Sequence, residues 1–227
     1  MKSNQTQMLN KLRAAVLGAN DGVVSTAGLI FGVAGATDAR GAIFTAGLAG
    51  LVAGALSMGV GEYISVSTQR DTERAYISRE RKALRKDPEG ELMELTRIYE
   101  EKGLSSETAA RVAKELSDKD VVKAHLDAEL NINEEDLTNP MHAAVSSLLA
   151  FTGGALIPLC AAIFAPGHLR VYITLAAVVA ALTLTGYYSA TVGGASRRRA
   201  IFRVMLGGVL AMAITYGIGR LFGTAIS

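Results

Sequence analysis

Hydrophobic and polar positions fall here in long blocks rather than in short alternations. Five almost wholly apolar stretches, at residues 12–36, 41–66, 141–164, 169–192 and 201–222, are set apart by polar turns and by one polar block at 67–139. A helix needs roughly 20 apolar residues to cross the ~30 Å hydrocarbon core of a bilayer, and each stretch reaches that length. Backbone polar groups in lipid must be satisfied within their own segment, so each stretch is predicted as a transmembrane helix. The fold class is therefore all-α: a polytopic membrane protein of five transmembrane helices, with a helical cytosolic domain between helices two and three. The expected domains are 1–66 (helices one and two), 67–139 (the cytosolic domain) and 140–227 (helices three to five). The first stretch is not a secretory signal. It is too long, carries Asn20-Asp21 in its middle and lacks a small-residue cleavage site.

Within the polar block the periodicity is helical throughout. The second span has no breaker at its polar end and is predicted to run on to about Arg85. Asp87-Pro88 then caps and starts a new helix that reaches Lys102 and stops at Gly103. Ser105 or Ser106 caps a third helix to about Leu116, Asp118 caps a fourth to about Leu130, and Pro140 opens span three. Some seventy residues of short helices bury little core alone, so they are expected to pack on one another or across a dimer.

Composition agrees with the membrane reading: half the residues are apolar, Trp is absent and there are 24 glycines, which let transmembrane helices approach closely. Lys2, Lys11 and Arg13 precede span one, and Arg197-Arg198-Arg199 with Arg203 stand between spans four and five. The short turns at 37–40 and 165–170 hold one Arg each. The positive-inside rule then puts the N-terminus and the polar block in the cytoplasm and the C-terminus outside. A bacterial plasma membrane is the expected location. The net charge of +2 averages two unlike parts, because the block 67–139 holds 13 Lys and Arg against 18 Asp and Glu, a net −5. That acidity argues against a nucleic-acid partner. The single Cys160 allows no internal disulfide and reads as a small packing residue.

Only Asp21, Asp38 and Glu62 among the 21 acidic residues lie outside the polar block, and Asp21 and Glu62 interrupt apolar helices. A carboxylate at mid-bilayer costs roughly 2.5–3.5 kcal/mol even on insertion scales, so such residues usually face an ion or proton path. Met58, Glu62, Ser65, Gln69, Glu73, Tyr76 and Glu80 follow one another at spacings of three and four, one continuous stripe on the second helix. Gly47, Gly50 and Gly54 extend it. Asp21, Ser25, Gly28, Gly32 and Gly35 form a comparable stripe on the first helix. The two faces are expected to pack into a hydrophilic seam near a twofold axis, with Gly28 and Gly32 facing their copies. The alternative is a plain small-residue packing interface.

The polar block carries a second constellation. Glu91 and Glu94 are three apart on one helical face, and His125 and Glu129 are four apart on another. His125 and Glu129 share their side with Val121, Val122 and Leu126, where an unpaired charge is costly and calls for an Arg or a metal. Carboxylates with an imidazole suit Fe²⁺ or Mn²⁺, while a solvated acidic face and a hydrogen-bonded core histidine remain the plain alternatives.

Several segments resemble the vacuolar iron transporter family. They are Leu17-Gly18-Ala19-Asn20-Asp21-Gly22, Ser57-Met58-Gly59-Val60-Gly61-Glu62-Tyr63, Asp87-Pro88-Glu89, Gly103-Leu104, Glu129-Leu130-Asn131 and Gly153-Gly154-Ala155-Leu156-Ile157-Pro158-Leu159. The resemblance covers nearly the whole chain. It implies a homodimer of five-span subunits that moves Fe²⁺, sometimes Mn²⁺, out of the cytosol in exchange for protons. It also implies that Asp21 and Met58 line the path and that Glu80, Glu91, Glu94 and Glu129 collect metal in the cytosol. The sequence departs from the plant-type pattern at three places: Ala83 stands at one glutamate position, His125-Leu126 replaces a pair of methionines, and Gly50 replaces a membrane glutamate while Glu62 appears closer to the cytosol.

The function expected is export of Fe²⁺ or Mn²⁺ by an antiporter that is not an enzyme. Asp21, Met58 and Glu62 would form its path, and Glu80, Glu91, Glu94, His125 and Glu129 its metal ligands. No cofactor is expected to be permanently bound. The expected partners are lipid, divalent transition-metal ions including Zn²⁺ in the cytosolic domain, protons, and a second copy of the chain. The rival is a membrane-anchored metal-binding or ferroxidase-like protein without a transport path.

Overall fold

A computed structural model describes residues 2–133 and 138–226, with side chains over 14–133 and 138–223. Lys2, Lys11 and Arg13, on which the orientation partly rests, lie outside the described side chains. The described residues form seven α-helices and no strand. These are α1 (Lys2–Ala36), α2 (Arg40–Lys86), α3 (Pro88–Glu101), α4 (Ser106–His125), α5 (Pro140–Phe164), α6 (Arg170–Val192) and α7 (Arg197–Ile226), with a π turn at Leu126–Leu130 and a 3-10 turn at Gly167–Leu169. Five helices are long and apolar enough to cross a membrane: α1, α2, α5, α6 and α7. The chain is all-α, as its block pattern predicts. At 1.5 Å per residue the 47 residues of α2 extend about 70 Å, more than twice the hydrocarbon thickness, so its polar half lies beyond any span.

The chain forms two compact units. One runs up to Tyr63 and resumes at Met141, and the other is Ile64–Pro140. In the first, glycines let backbones touch. A Cβ on Gly22 would overlap the Phe151 carbonyl of α5, and one on Gly154 would overlap the Ala19 carbonyl of α1. That crossing explains why the Asn20-Asp21-Gly22 and Gly153-Gly154 segments are both rich in small residues. Val23, Ile30, Phe31, Leu51, Phe151, Val178, Leu182 and Met212 fill the core around it. Two arginines tie the turns at the opposite end from the Arg197 cluster. Arg170 donates to the Asp38 carbonyl at 3.1 Å, and Arg40 donates to the Ile163 carbonyl.

Two expectations fail in this unit. The glycine face of α1 packs on α7 rather than on α2 or a twofold copy: Gly28 and Gly32 stand against Thr215, and Gly35 against Tyr216. The glycines of α2 meet other partners. Gly47 lies against Leu159 and Ile30, Gly50 against Leu29, and Gly54 against the Phe151 ring. The two small-residue faces therefore do not meet, because α7 fills the groove on α1 while Leu29 and Ile30 of α1 and Phe151 and Leu159 of α5 fill the groove on α2. Cys160, expected as a packing residue, points outward and is exposed.

In the second unit the helix boundaries follow local chemistry. The Asp87 carboxylate accepts the Gly90 N–H at 3.0 Å, and Gly103 closes α3 at φ +99°, a conformation open to glycine. Ser105, not Ser106, caps α4. The break expected at Asp118 falls two residues later. Asp120 is extended, and its carboxylate accepts the Lys123 N–H at 3.0 Å. Capping there turns Ala124, His125 and Leu126 inward, where Leu95, Ala113 and Ala124 form the small core with Leu92 and Tyr99 alongside. The last turn is also wider than expected. Residues 126–130 form a π turn that ends at Asn131, left-handed at φ 52°, with the Ile132 N–H on the Leu126 carbonyl.

Candidate metal site and membrane carboxylates

Three helices of the second unit bring three expected ligands together. Glu80 comes from the far part of α2, Glu91 from the first turn of α3 and His125 from the end of α4. One ligand atom from each lies within 4.8 Å of the others. His125 Nδ1 is 3.1 Å from a Glu80 oxygen and 3.9 Å from a Glu91 oxygen. The histidine is fully buried and Glu80 nearly so. Close as they are, Nδ1 and the Glu80 oxygen are not in hydrogen-bond geometry, and both imidazole nitrogens are buried with no hydrogen-bond partner. A neutral imidazole always carries one N–H, and leaving it buried and unmade costs about 1–3 kcal/mol. A dication among the three would use these unpaired nitrogen and oxygen atoms as ligands.

The electrostatics point the same way. Burial, reinforced by Glu129, Glu91 and Glu94, pushes the Glu80 carboxyl up to about 7 from 4.5. Burial, and then the neighbouring carboxylates, also raises Glu91 and Glu129. Burial lowers His125, with Glu94 opposing it. The cluster thus crowds acids around an imidazole that resists protonation, and their mutual repulsion calls for a positive charge. One hard or borderline cation would supply it.

Glu94 and Glu129 do not reach the trio. Both are exposed and act on it through their charge. The widened turn after His125 changes the projection of Glu129 from that of an ideal helix, which the spacing of four does not foresee. Leu126, beside His125, is buried. Two supporting residues carry no spacing signal and escape sequence reading. Lys102 donates to the Ala128 carbonyl of the π turn at 2.8 Å and lies over the Tyr99 ring at 5.1 Å. Asn20 accepts a hydrogen bond from Thr185 of α6 at 2.5 Å, bracing α1 next to Asp21.

In the membrane unit Asp21 is half-buried and accepts the Ser25 hydroxyl at 2.5 Å. Leu17 and Leu29 are exposed on the same four-residue spacing, so Asp21 and Ser25 lie on an outward stripe of α1. Met58 is half-buried against the core, and Glu62, one turn along α2, is half-buried as well. On the polar half of α2 the stripe continues, with Gln69 donating to Glu73 at 2.8 Å.

Residues 12–220 match the model of the VIT family. The chain belongs to the VIT family. Similar relatives include a "Vacuolar iron transporter" of Acanthamoeba castellanii, 42% identical over 94% of this chain and 79% of that protein. The "Vacuolar iron transporter homolog 1" of Oryza sativa is 41% identical over 93% of this chain and 74% of its own length. The protein of the same title in Arabidopsis thaliana is 37% identical over 94% and 84%. Membership of the family, together with five helices fit to cross a bilayer, makes this an integral membrane protein.

Proposed function

We propose that this protein moves Fe²⁺, and also Mn²⁺, across its membrane and out of the cytosol in exchange for protons. The observation that carries the reading is the Glu80–Glu91–His125 cluster, in which both buried His125 nitrogens and a buried Glu80 oxygen lack hydrogen-bond partners. In this reading the unit Ile64–Pro140 is cytosolic, as is the N-terminus, and it captures the ion. Glu94 and Glu129 raise the local negative potential, and Zn²⁺ occupies the same ligands. The α2 helix carries both Glu80 and Glu62. Asp21, Met58 and Glu62 form the path, where a proton arriving from the far side competes for a carboxylate and expels the metal. The membrane we assign is a bacterial plasma membrane.

The outward stripe of α1 supports a homodimer. Asp21 facing lipid costs several kcal/mol, whereas a second copy covering Leu17, Asp21, Ser25 and Leu29 encloses it. The ferroxidase-like alternative leaves Asp21 without a role. Proteoliposomes separate the two readings. Transport predicts radiometal flux driven by an imposed pH gradient and lost in Asp21→Asn. An anchored metal binder predicts metal capture and no flux.

A further inference from the structure

The turn between α6 and α7 carries a concentration of charge that metal transport does not use. Arg197, Arg198, Arg199 and Arg203 are all exposed, and residues 140–227 contain no Asp or Glu to offset them. Such arginines attract anions that reach this end of the protein. Their placement narrows the choice. Arg199, Arg203 and Leu206 follow at spacings of four and three on α7, with Phe202 beside them, so the cationic face runs directly into an exposed apolar one. The neighbouring end of α6 is shaped for a membrane–water boundary. Arg197 lies over the Tyr187 ring at 4.9 Å and donates to its hydroxyl oxygen at 3.3 Å, which fixes the guanidinium at the level of the aromatic rings. The two helices touch at this end, where a Cβ on Gly186 would lie 3.0 Å from the Ile201 Cα, so Ile201 and Arg197 face α6 while Arg199 and Arg203 project from the other side of α7.

We propose that this corner is a binding site for an anionic phospholipid. Arg199 and Arg203 hold the headgroup phosphate, and Phe202 and Leu206 on the same side of α7 receive the start of an acyl chain. A bare phosphate would use the arginines alone, whereas a lipid uses both halves of the stripe. Juxtamembrane arginines of this kind each add substantially to affinity for anionic lipid.

The full-length protein, delipidated in a neutral detergent, is titrated with phosphatidylglycerol, phosphatidylcholine or inorganic phosphate. Native mass spectrometry reads retained lipid, and thermal melting reads stabilisation. The expected result is selective retention of phosphatidylglycerol with a raised melting temperature, and no shift with phosphatidylcholine or millimolar phosphate. Phosphatidylglycerol binding should weaken roughly tenfold or more in R199Q/R203Q and recover in large part in R199K/R203K. Equal retention of the two lipids overturns the proposal on the wild-type protein alone, even where the glutamine variant does not fold. An equal effect of phosphate overturns it in favour of a free-anion site, and undiminished binding in a folded R199Q/R203Q overturns the assignment of these residues.

Discussion

At the scale of residues, Glu80 and His125 govern the proposed metal binding. A carboxyl raised in the folded state holds its proton more tightly than in the unfolded chain. Glu80 therefore weakens the metal-free fold as pH rises from 4.5 to about 7, and a bound dication removes that penalty. Two opposite effects of Glu80→Gln follow: the metal-free protein should melt higher at pH 7.5, while stabilisation by Mn²⁺ should largely vanish. Melting curves with and without Mn²⁺ check both signs, and a variant still stabilised like wild type would take Glu80 out of the site. Because the metal must displace the Glu80 proton, affinity should fall by up to about tenfold per pH unit below pH 7 and level off above it. Calorimetry of the full-length protein measures that slope, which Glu80→Gln should flatten. His125→Ala removes the one nitrogen ligand and should weaken binding by at least about 10–100-fold, the range already typical for losing an outer partner of a ligand. Glu94→Ala and Glu129→Ala, which act at a distance, should each cost less.

At the scale of elements, local chemistry was legible and tertiary choice was not. Asp87, Pro88, Gly103 and Ser105 mark helix ends through their own capping and turn geometry, so the ends of α2 and α3 and the start of α4 can be read from the chain. Asp118 and Asp120 cap equally well in isolation. Only packing of Ala124 beside Leu95 and Ala113 selects Asp120. The π turn is likewise a tertiary matter, since Lys102 comes from a different helix to the carbonyl it satisfies. Glycine stripes announce close contacts without naming the partner, which is why Gly28 and Gly32 were assigned to a copy and are found on Thr215. Of the grouped residues, His125 was legible from its place on an apolar face, Glu91 from its spacing to Glu94, and Glu80 only through the family resemblance; that Glu94 and Glu129 stay outside the group depends on where three helices converge. Lys102→Met keeps the stem and removes the donor. It should leave the helical content intact while lowering Mn²⁺ affinity several-fold, with Lys102→Arg restoring it. Unchanged affinity in the methionine variant would show that the π turn holds its shape without this bond.

At the scale of the whole molecule, the proposed function assigns capture to the Glu80–Glu91–His125 cluster of one compact unit and passage to the carboxylates on apolar helices of the other. If a second copy covers the outward stripe of α1, a cysteine at Leu17 in a Cys160→Ser background should crosslink to its counterpart, whereas one at Gly28, buried against Thr215, should not. Gel mobility after oxidation reads the difference, and crosslinking at Gly28 instead would move the dimer contact to the glycine face. The central claim is that a proton and a metal ion compete at Asp21. The most direct test is pH-gradient-driven ⁵⁵Fe²⁺ or ⁵⁴Mn²⁺ flux in proteoliposomes, measured for wild type and Asp21→Asn beside thermal stability. Substituting asparagine keeps the size and the hydrogen bond of Ser25 while removing the charge. The account predicts a stable variant that still binds metal at the Glu80–Glu91–His125 cluster and whose flux drops to that of empty vesicles. A stable Asp21→Asn protein that transports at the wild-type rate, with the same dependence on the pH gradient, would contradict it.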